Sequence, residues 1–254
     1  MGALPEIFLP LVRDPGQSAL CLDFDGTLAP IVADPAGARP LPGAPELLAR
    51  LAARFALVAV ISGRPVDFLA HALGSPAGVR LFGLYGLGQV GPDARPWAAA
   101  IADAVDEARD LAPAGVYVEP KGLTVTLHWR QAPDAGPWVT AFAARQEQQR
   151  GLRVYPGRLS LELRPPLDVD KGTVLRSLTT GMAAVAVFGD DLGDLPAFAA
   201  AADMVAHGVA AVRVAVVDEE TAPEVTAEAD VVVRGPDGAL ALLEQLAQAA
   251  GVSG

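Results

Sequence analysis

Cysteine occurs once in the 254 residues of this chain, at Cys21, so no intrachain disulfide can form. Cys21 lies in the apolar stretch Ser18-Ala19-Leu20-Cys21-Leu22, where it reads as a small buried hydrophobe and not as a reactive thiol. Aromatic residues make up only 6% of the chain, so Ala, Leu and Val must fill most of a core to which 52% apolar residues contribute. No uncharged apolar run approaches the ~20 residues of a membrane-spanning helix. Basic residues are outnumbered, 19 Lys and Arg against 30 Asp and Glu, for a formal net charge of −11. That balance argues against nucleic acid and anionic membrane surfaces as partners, both of which need a basic face. It does not argue against a phosphate ester, because a metal and a few local cations can invert the field within one cleft. Glu6 and Arg13 interrupt the short apolar stretch near the N-terminus, and no basic start or cleavage pattern marks a signal peptide. The expected setting is cytoplasmic, with a monomer sufficing. No repeat of 20–50 residues and no low-complexity tail is present.

Short apolar runs alternate with helical patterns through most of the chain. Strands are predicted at Ser18–Asp23, Phe55–Ile61, Arg80–Leu84, Ala183–Phe188, Val212–Val217 and Asp230–Val233. Helices are predicted at Pro45–Arg54, Val66–Leu73, Lys171–Leu178, Asp194–Ala201 and Gly238–Ala249. Uniformly apolar strands separated by helices specify a parallel sheet covered on both faces. Between about Val90 and Leu163 the pattern changes. Helices at Trp97–Leu111 and Trp138–Gln149 mix with strands at Val116–Glu119, Leu123–Trp129, Arg153–Tyr155 and Leu159–Arg164. The Leu123–Trp129 strand alternates apolar and polar residues, as in a sheet with one polar face. The expected organisation is an α/β core made of residues 1–89 and 165–254, with a smaller α+β module of order βαββαββ inserted at 90–164.

Four groups of polar residues sit at the C-terminal ends of predicted strands or at a helix start, where open parallel sheets build their sites. The first is Asp23-Phe24-Asp25-Gly26-Thr27-Leu28. Asp23, leaving the strand, can attack phosphorus and become an aspartyl phosphate. Asp25, just beyond it, can protonate a leaving oxygen and then activate water. Two carboxylates so close repel one another, so a cation is expected between them. Gly26 lets the backbone approach a phosphoryl group, and Thr27 completes the loop. A lone Asp-Gly is only a turn, but a turn needs neither an Asp at the strand end nor the Thr-Leu that follows. In the second group, Ile61-Ser62-Gly63-Arg64, the Ser62 hydroxyl can donate to a phosphoryl oxygen and Arg64 can hold substrate. By itself a Ser-Gly pair is more often a turn. The third, Asp170-Lys171-Gly172, puts a cation at a helix start, which the helix dipole disfavours and which therefore needs a local reason.

The fourth is Phe188-Gly189-Asp190-Asp191-Leu192-Gly193-Asp194. Its carboxylates suit a hard cation such as Mg²⁺. The expected direct ligands are Asp190, Asp23 and the main-chain carbonyl of Asp25. Asp191 or Asp194 would support them from behind, Asp194 also capping the next helix.

The joint order of these four groups resembles the haloacid dehalogenase superfamily of phosphatases, in which they are motifs one to four. The resemblance implies a Rossmann-like core. The long insert between Ser62 and Lys171, against a single helical pattern between Asp25 and Ser62, implies the second cap type, inserted between motifs two and three and setting substrate choice. Within the insert, Glu119-Pro120-Lys121-Gly122-Leu123-Thr124-Val125-Thr126-Leu127-His128-Trp129-Arg130 resembles the signature of the trehalose-6-phosphate phosphatases, with Trp129 in a Tyr position. Leu161-Glu162-Leu163-Arg164-Pro165 resembles the family segment before the Lys-Gly motif. The likeness runs from about Ala19 to Leu243. It implies Mg²⁺-dependent hydrolysis of trehalose 6-phosphate, with Asp23, Asp25, Ser62 and Lys171 catalytic. A disaccharide rich in hydroxyls calls for carboxylates and cations, and Glu119, Lys121 and Glu162 fit, although cross-strand ion pairs explain each of them equally well; Arg130, at the end of the signature, is a further substrate-binding candidate. Tyr85 and Gln89 stand where the family has His and Glu, and Gly193 and Leu195 where it has Thr and Glu. Another sugar phosphate, such as sucrose phosphate or mannosyl-phosphoglycerate, and an inactive phosphosugar-binding relative stay open as alternatives.

Overall fold

The computed structural model describes residues 4–32, 34–89, 94–157 and 159–252. They fall into two compact units, one running to Tyr85 and resuming at Val169, the other spanning Gly86–Asp168.

The first unit is a six-stranded sheet with every neighbour parallel. Its strands are β1 (Ser18–Leu22), β2 (Leu57–Ile61), β3 (Val79–Phe82), β8 (Ala184–Gly189), β9 (Ala210–Val217) and β10 (Val231–Arg234), in the order β10-β9-β8-β1-β2-β3. β1 is central and buried at every residue. Period-two alternation sends Leu20 and Leu22 to one face and Ala19 and Cys21 to the other. The first face packs on helices α1 (Leu9–Arg13), α2 (Ala44–Ala52), α3 (Val66–Leu73) and α9 (Gly235–Ala249), through side chains such as Leu11, Leu47, Leu69 and Leu243. The second packs on α6 (Lys171–Leu178), α7 (Leu195–Ala206) and α8 (Pro223–Ala227), through Leu175, Phe198 and Val225. Each large side chain so buried stabilises the fold by roughly 1.5–3 kcal/mol. Cys21 is fully buried, and burial pushes its thiol up to about 12 against the opposing effect of Arg80. A group so protonated at neutral pH is no nucleophile.

The second unit is an antiparallel sheet of β4 (Tyr117–Pro120), β5 (Val125–His128), β7 (Ser160–Arg164) and β6 (Arg153–Gly157), in that order, with helices α4 (Arg95–Leu111) and α5 (Gly136–Arg150). Val125, Leu127 and Leu163 pack on Ile101, Val105, Val139 and Phe142 of the helices. The alternate residues Thr126, His128, Glu162 and Arg164 belong to the other face. Among the described residues the order is αββαββ, without the leading strand of the expected module. The chain after β3 turns instead of extending. Leu84 and Tyr85 have φ of +52° and +57°, and Leu84–Gln89 forms a 3₁₀ helix. Their amides donate to the Arg64 and Ser62 carbonyls at 3.0 and 2.9 Å. The expected strand through Leu84 therefore stops at Phe82, because two nonlocal hydrogen bonds fold the chain back on the β2 loop.

Candidate active site

Parallel strands end together, and here the end of β1 meets the end of β8. The Asp23 amide donates to the Phe188 carbonyl at 3.0 Å, so the first and fourth motifs leave the sheet side by side. Gly26, at φ +75°, allows the close approach. A Cβ built there would lie 2.1 Å from Asp190 Oδ2. Asp23, Asp190 and Asp194 are all buried, and one carboxylate oxygen of each lies within 4.8 Å of the others.

Lys171 is the cation of this group. Its Nζ is 2.8 Å from Asp23 Oδ1 and 2.6 Å from Asp194 Oδ1. The start of α6 holds it there through a reciprocal cap: Asp170 Oδ1 accepts from the Thr173 amide at 2.7 Å, and Thr173 Oγ1 accepts from the Asp170 amide at 3.0 Å. That pairing explains a lysine at a helix start. Asp194 behaves differently from expectation. It makes no capping bond to α7. A 3₁₀ turn, Leu192–Asp194, comes first, and Asp194 Oδ2 accepts from the Asp190 and Asp191 amides at 2.9 and 3.3 Å. Asp194 therefore ties Lys171 to the loop that carries Asp190. Asp191 accepts from the Gly193 amide at 2.8 Å and is absent from the three-carboxylate group.

Burial pushes the Asp23 carboxyl up to about 8. Lys171 opposes the rise, and Asp194 and Asp191 add to it. Burial alone would depress Lys171, but Asp194, then Asp23 and Asp191, outweigh it and hold the ammonium well above its ordinary value. Acidic groups thus outnumber the single ammonium that faces them, which is the electrostatic setting of a cation site.

Ser62 is buried, and its Oγ accepts from the Arg64 amide at 3.2 Å. Thr27 is fully buried, and its Oγ1 has no hydrogen-bond partner among the described residues. Arg64 forks onto Asp25, Nε to Oδ2 at 2.7 Å and Nη2 to Oδ1 at 2.8 Å. Tyr85 packs its ring against Gly63, where a Cβ would lie 2.4 Å from the phenol oxygen, and holds the Lys171 ammonium 5.9 Å from its centroid. Its nonlocal placement carries no local signal in the sequence.

The second unit has a polar cluster of its own. Glu119 and Glu162 sit opposite Thr126 on its two sides in the ladder. Lys121 Nζ lies 3.6 Å from each carboxylate. Glu162 accepts from Thr124 Oγ1 at 2.8 Å and from Arg164 Nε at 3.0 Å. Glu119 pairs with His128 Nε2 at 2.9 Å. Burial would raise Glu162, but Lys121 and Arg164 hold its carboxyl below the usual range. Three of the four residues named from the sequence, Glu119, Lys121 and Glu162, come together here. Arg130 lies half-buried in the turn after β5. Arg164 and Thr124 join the cluster from outside the predicted sugar-binding set, although period-two alternation puts Arg164 on the face of Glu162.

The trehalose-phosphatase family model matches residues 21–230. The chain belongs to the trehalose-phosphatase family. A trehalose-phosphate phosphatase of Mycobacterium tuberculosis (strain ATCC 25618 / H37Rv) is 38% identical over 232 residues, 82% of this chain and 58% of that protein. One from Mycobacterium leprae (strain TN) is 39% identical over 170 residues, 63% of this chain and 39% of the other. The chain thus spans less than two thirds of the length of these curated relatives. Among solved structures, the C-terminal domain of C. albicans trehalose-6-phosphate phosphatase superposes with a TM-score of 0.75 at 22% identity, covering 100% of this chain and 99% of that one. A haloacid dehalogenase-like hydrolase from Bacteroides thetaiotaomicron gives 0.53 at 18%, covering 90% and 99%. At these identities the likeness is one of fold, and the fold is that of a haloacid dehalogenase-like protein.

Proposed function

We propose that this family member hydrolyses trehalose 6-phosphate to trehalose and inorganic phosphate through an aspartyl phosphate on Asp23. The observation that carries the reading is the buried group of Asp23, Lys171, Asp190 and Asp194 at the joined ends of β1 and β8. The name borne by the curated relatives supplies the substrate. The donor set fits Mg²⁺: three buried carboxylates with oxygens in reach of one another are hard ligands, and the charge balance at Asp23 favours a cation. Asp23, Asp190 and the Asp25 main-chain carbonyl would hold the ion, with Asp194 and Asp191 behind them. When bound, Mg²⁺ would neutralise phosphoryl oxygens and keep Asp23 ionised.

The chain's own residues do the rest. An Asp23 carboxylate oxygen attacks phosphorus, and the bond from phosphorus to the sugar oxygen breaks. The carboxyl proton of Asp25 passes to that oxygen, releasing the sugar as an alcohol. Asp25, now a carboxylate, takes a proton from water as the water oxygen attacks phosphorus. The bond from phosphorus to Asp23 breaks, and phosphate leaves. Lys171 holds Asp23 in line and offsets charge on the phosphoryl oxygens, Ser62 donates to one of them, and Gly26 and Thr27 shape the loop around it. In this reading residues 1–89 and 165–254 form the catalytic core. Residues 90–164 supply recognition, with Glu119, Lys121, Glu162 and Arg130 binding sugar hydroxyls.

Phosphate release with Mg²⁺ from trehalose 6-phosphate, sucrose 6-phosphate, glucose 6-phosphate and an aryl phosphate tests the proposal. A strong preference for the first, lost in Asp23→Asn, is expected. Turnover retained by Asp23→Asn rules out Asp23 as nucleophile, and preference for another sugar discards the substrate. Glu119→Ala or Lys121→Ala should lower the rate on trehalose 6-phosphate far more than on the aryl phosphate.

A further inference from the structure

The contact between Arg64 and Asp25 is a bidentate fork made by a side chain that is itself pinned. Arg64 follows β2 in the second motif, and its side chain is 9% exposed, against 27% for Asp25. Its amide donates to Ser62 Oγ at 3.2 Å, and its carbonyl accepts from the Leu84 amide at 3.0 Å. Its guanidinium rests on the Phe68 ring, 4.6 Å from the centroid. Phe68 in turn meets Phe24 edge to face at 5.9 Å. Phe24 is fully buried and immediately precedes Asp25 in the chain.

Asp25 is fixed in its backbone by an isolated bridge to Ala29. Its carboxylate is less enclosed than the guanidinium, and torsion about the side-chain bonds would otherwise let it turn. Two parallel N–H···O bonds from one planar group set both the position and the plane of a carboxylate, which a point charge cannot do. The rigid partner is Arg64, and the group aligned by it is Asp25.

We propose that Arg64 is a positioning residue that acts through Asp25, orienting its carboxyl group for proton transfer to the leaving sugar oxygen, and not a ligand of the phosphosugar. The proposal rests on Asp25 as the acid and base of the reaction. In the first half-reaction the proton leaves Asp25 for the sugar oxygen as its bond to phosphorus breaks. In the second, Asp25 takes a proton from the attacking water. Both transfers need the same carboxyl group at the same place, and a displacement of about 1 Å costs about 100-fold in rate. Arg64 supplies no atom to either step.

The test uses two substrates that differ in their need for an acid. Trehalose 6-phosphate expels an alkoxide that must be protonated, whereas 2,4-dinitrophenyl phosphate expels a stable phenolate. The values of kcat and KM are measured with Mg²⁺ for the full chain, Arg64→Ala, Arg64→Lys, Asp25→Asn and the Arg64→Ala/Asp25→Asn double variant, each confirmed as folded by circular dichroism. Asp25→Asn should lose about 100-fold more kcat/KM, which reports the first half-reaction, on the sugar phosphate than on the dinitrophenyl ester. Arg64→Ala should show a loss of kcat/KM in the same sense, with KM not raised, and the double variant should be no worse than Asp25→Asn alone. Arg64→Lys should resemble Arg64→Ala, and added guanidinium should restore part of the Arg64→Ala rate. Phe68→Leu, which leaves the fork in place but removes the ring beneath it, should give a smaller loss in the same sense. Equal losses of kcat/KM on both substrates overturn the proposal, as does a raised KM with kcat retained or an additive double variant, while the acid role of Asp25 survives. If Asp25→Asn shows no dependence on leaving group, that role fails and the proposal falls with it.

Discussion

Gly26 is the residue on which the approach of two motifs depends. Its φ of +75° is open to glycine at no steric cost, and a Cβ there would overlap the Asp190 carboxylate, 2.1 Å from Oδ2. Gly26→Ala should therefore lose stability by about 1 kcal/mol or more and should lose phosphatase activity to a larger extent, because the displaced group is Asp190. Denaturant unfolding and phosphate release measured on the same preparation check this; unchanged activity would show that Asp190 can move without consequence. Asp194 shows a different residue-scale effect. Its carboxylate is shared between Lys171 and two amides of its own loop, so its nearness to a helix start is misleading. Asp23 and Asp190 are legible from the sequence because each bears a charge at the end of an apolar strand. Their partners are not, because a carboxylate bonds whatever donor the fold delivers.

At the scale of the element, β7 is the informative strand. Leu161 and Leu163 face the helices of the second unit while Glu162 and Arg164 lie on the opposite side. Glu162 is 6% exposed, yet Lys121 and Arg164 hold its carboxyl below the ordinary 4.5. A carboxylate whose folded-state value lies below its unfolded one adds stability above the unfolded value and loses it as the pH falls through the folded one. Glu162→Gln should therefore destabilise the protein at pH 7, and the gap to wild type should close as the pH drops below about 4.5. Thermal midpoints of both proteins across that range check the sign; a gap independent of pH would mean that the loss is one of packing and not of charge. Alternation made the two faces of β5 readable in advance. The turn at Leu84 and Tyr85 was not readable, because its positive φ values are set by amides bonding to the distant Ser62 and Arg64 carbonyls.

At the scale of the whole molecule, no helix among the described residues is long and apolar enough to cross a membrane. The net charge of −11 is a sum over the whole chain, and three of its carboxylates, Asp23, Asp190 and Asp194, are buried together. Mg²⁺ at about 100 times its dissociation constant should raise the stability by about 2.7 kcal/mol, a shift that Asp190→Asn should abolish. Differential scanning fluorimetry with and without the ion, with EDTA as control, reads this without turnover; an equal shift in the variant would place the ion elsewhere. The architecture itself was legible from the sequence, because strands buried on both faces must be apolar throughout and helices must repeat at 3.6 residues, as in β1, β2, β8 and α2. So was the order of the four motifs, since each is local, a few residues at the end of one element. Tertiary structure alone decided that Arg64 forks onto Asp25, that Asp194 bridges Lys171 to the Asp190 loop, and that Tyr85 lies over Lys171. Those contacts join elements remote in sequence, and their geometry is set by the register of parallel strands and the packing between them, which no short run of residues contains.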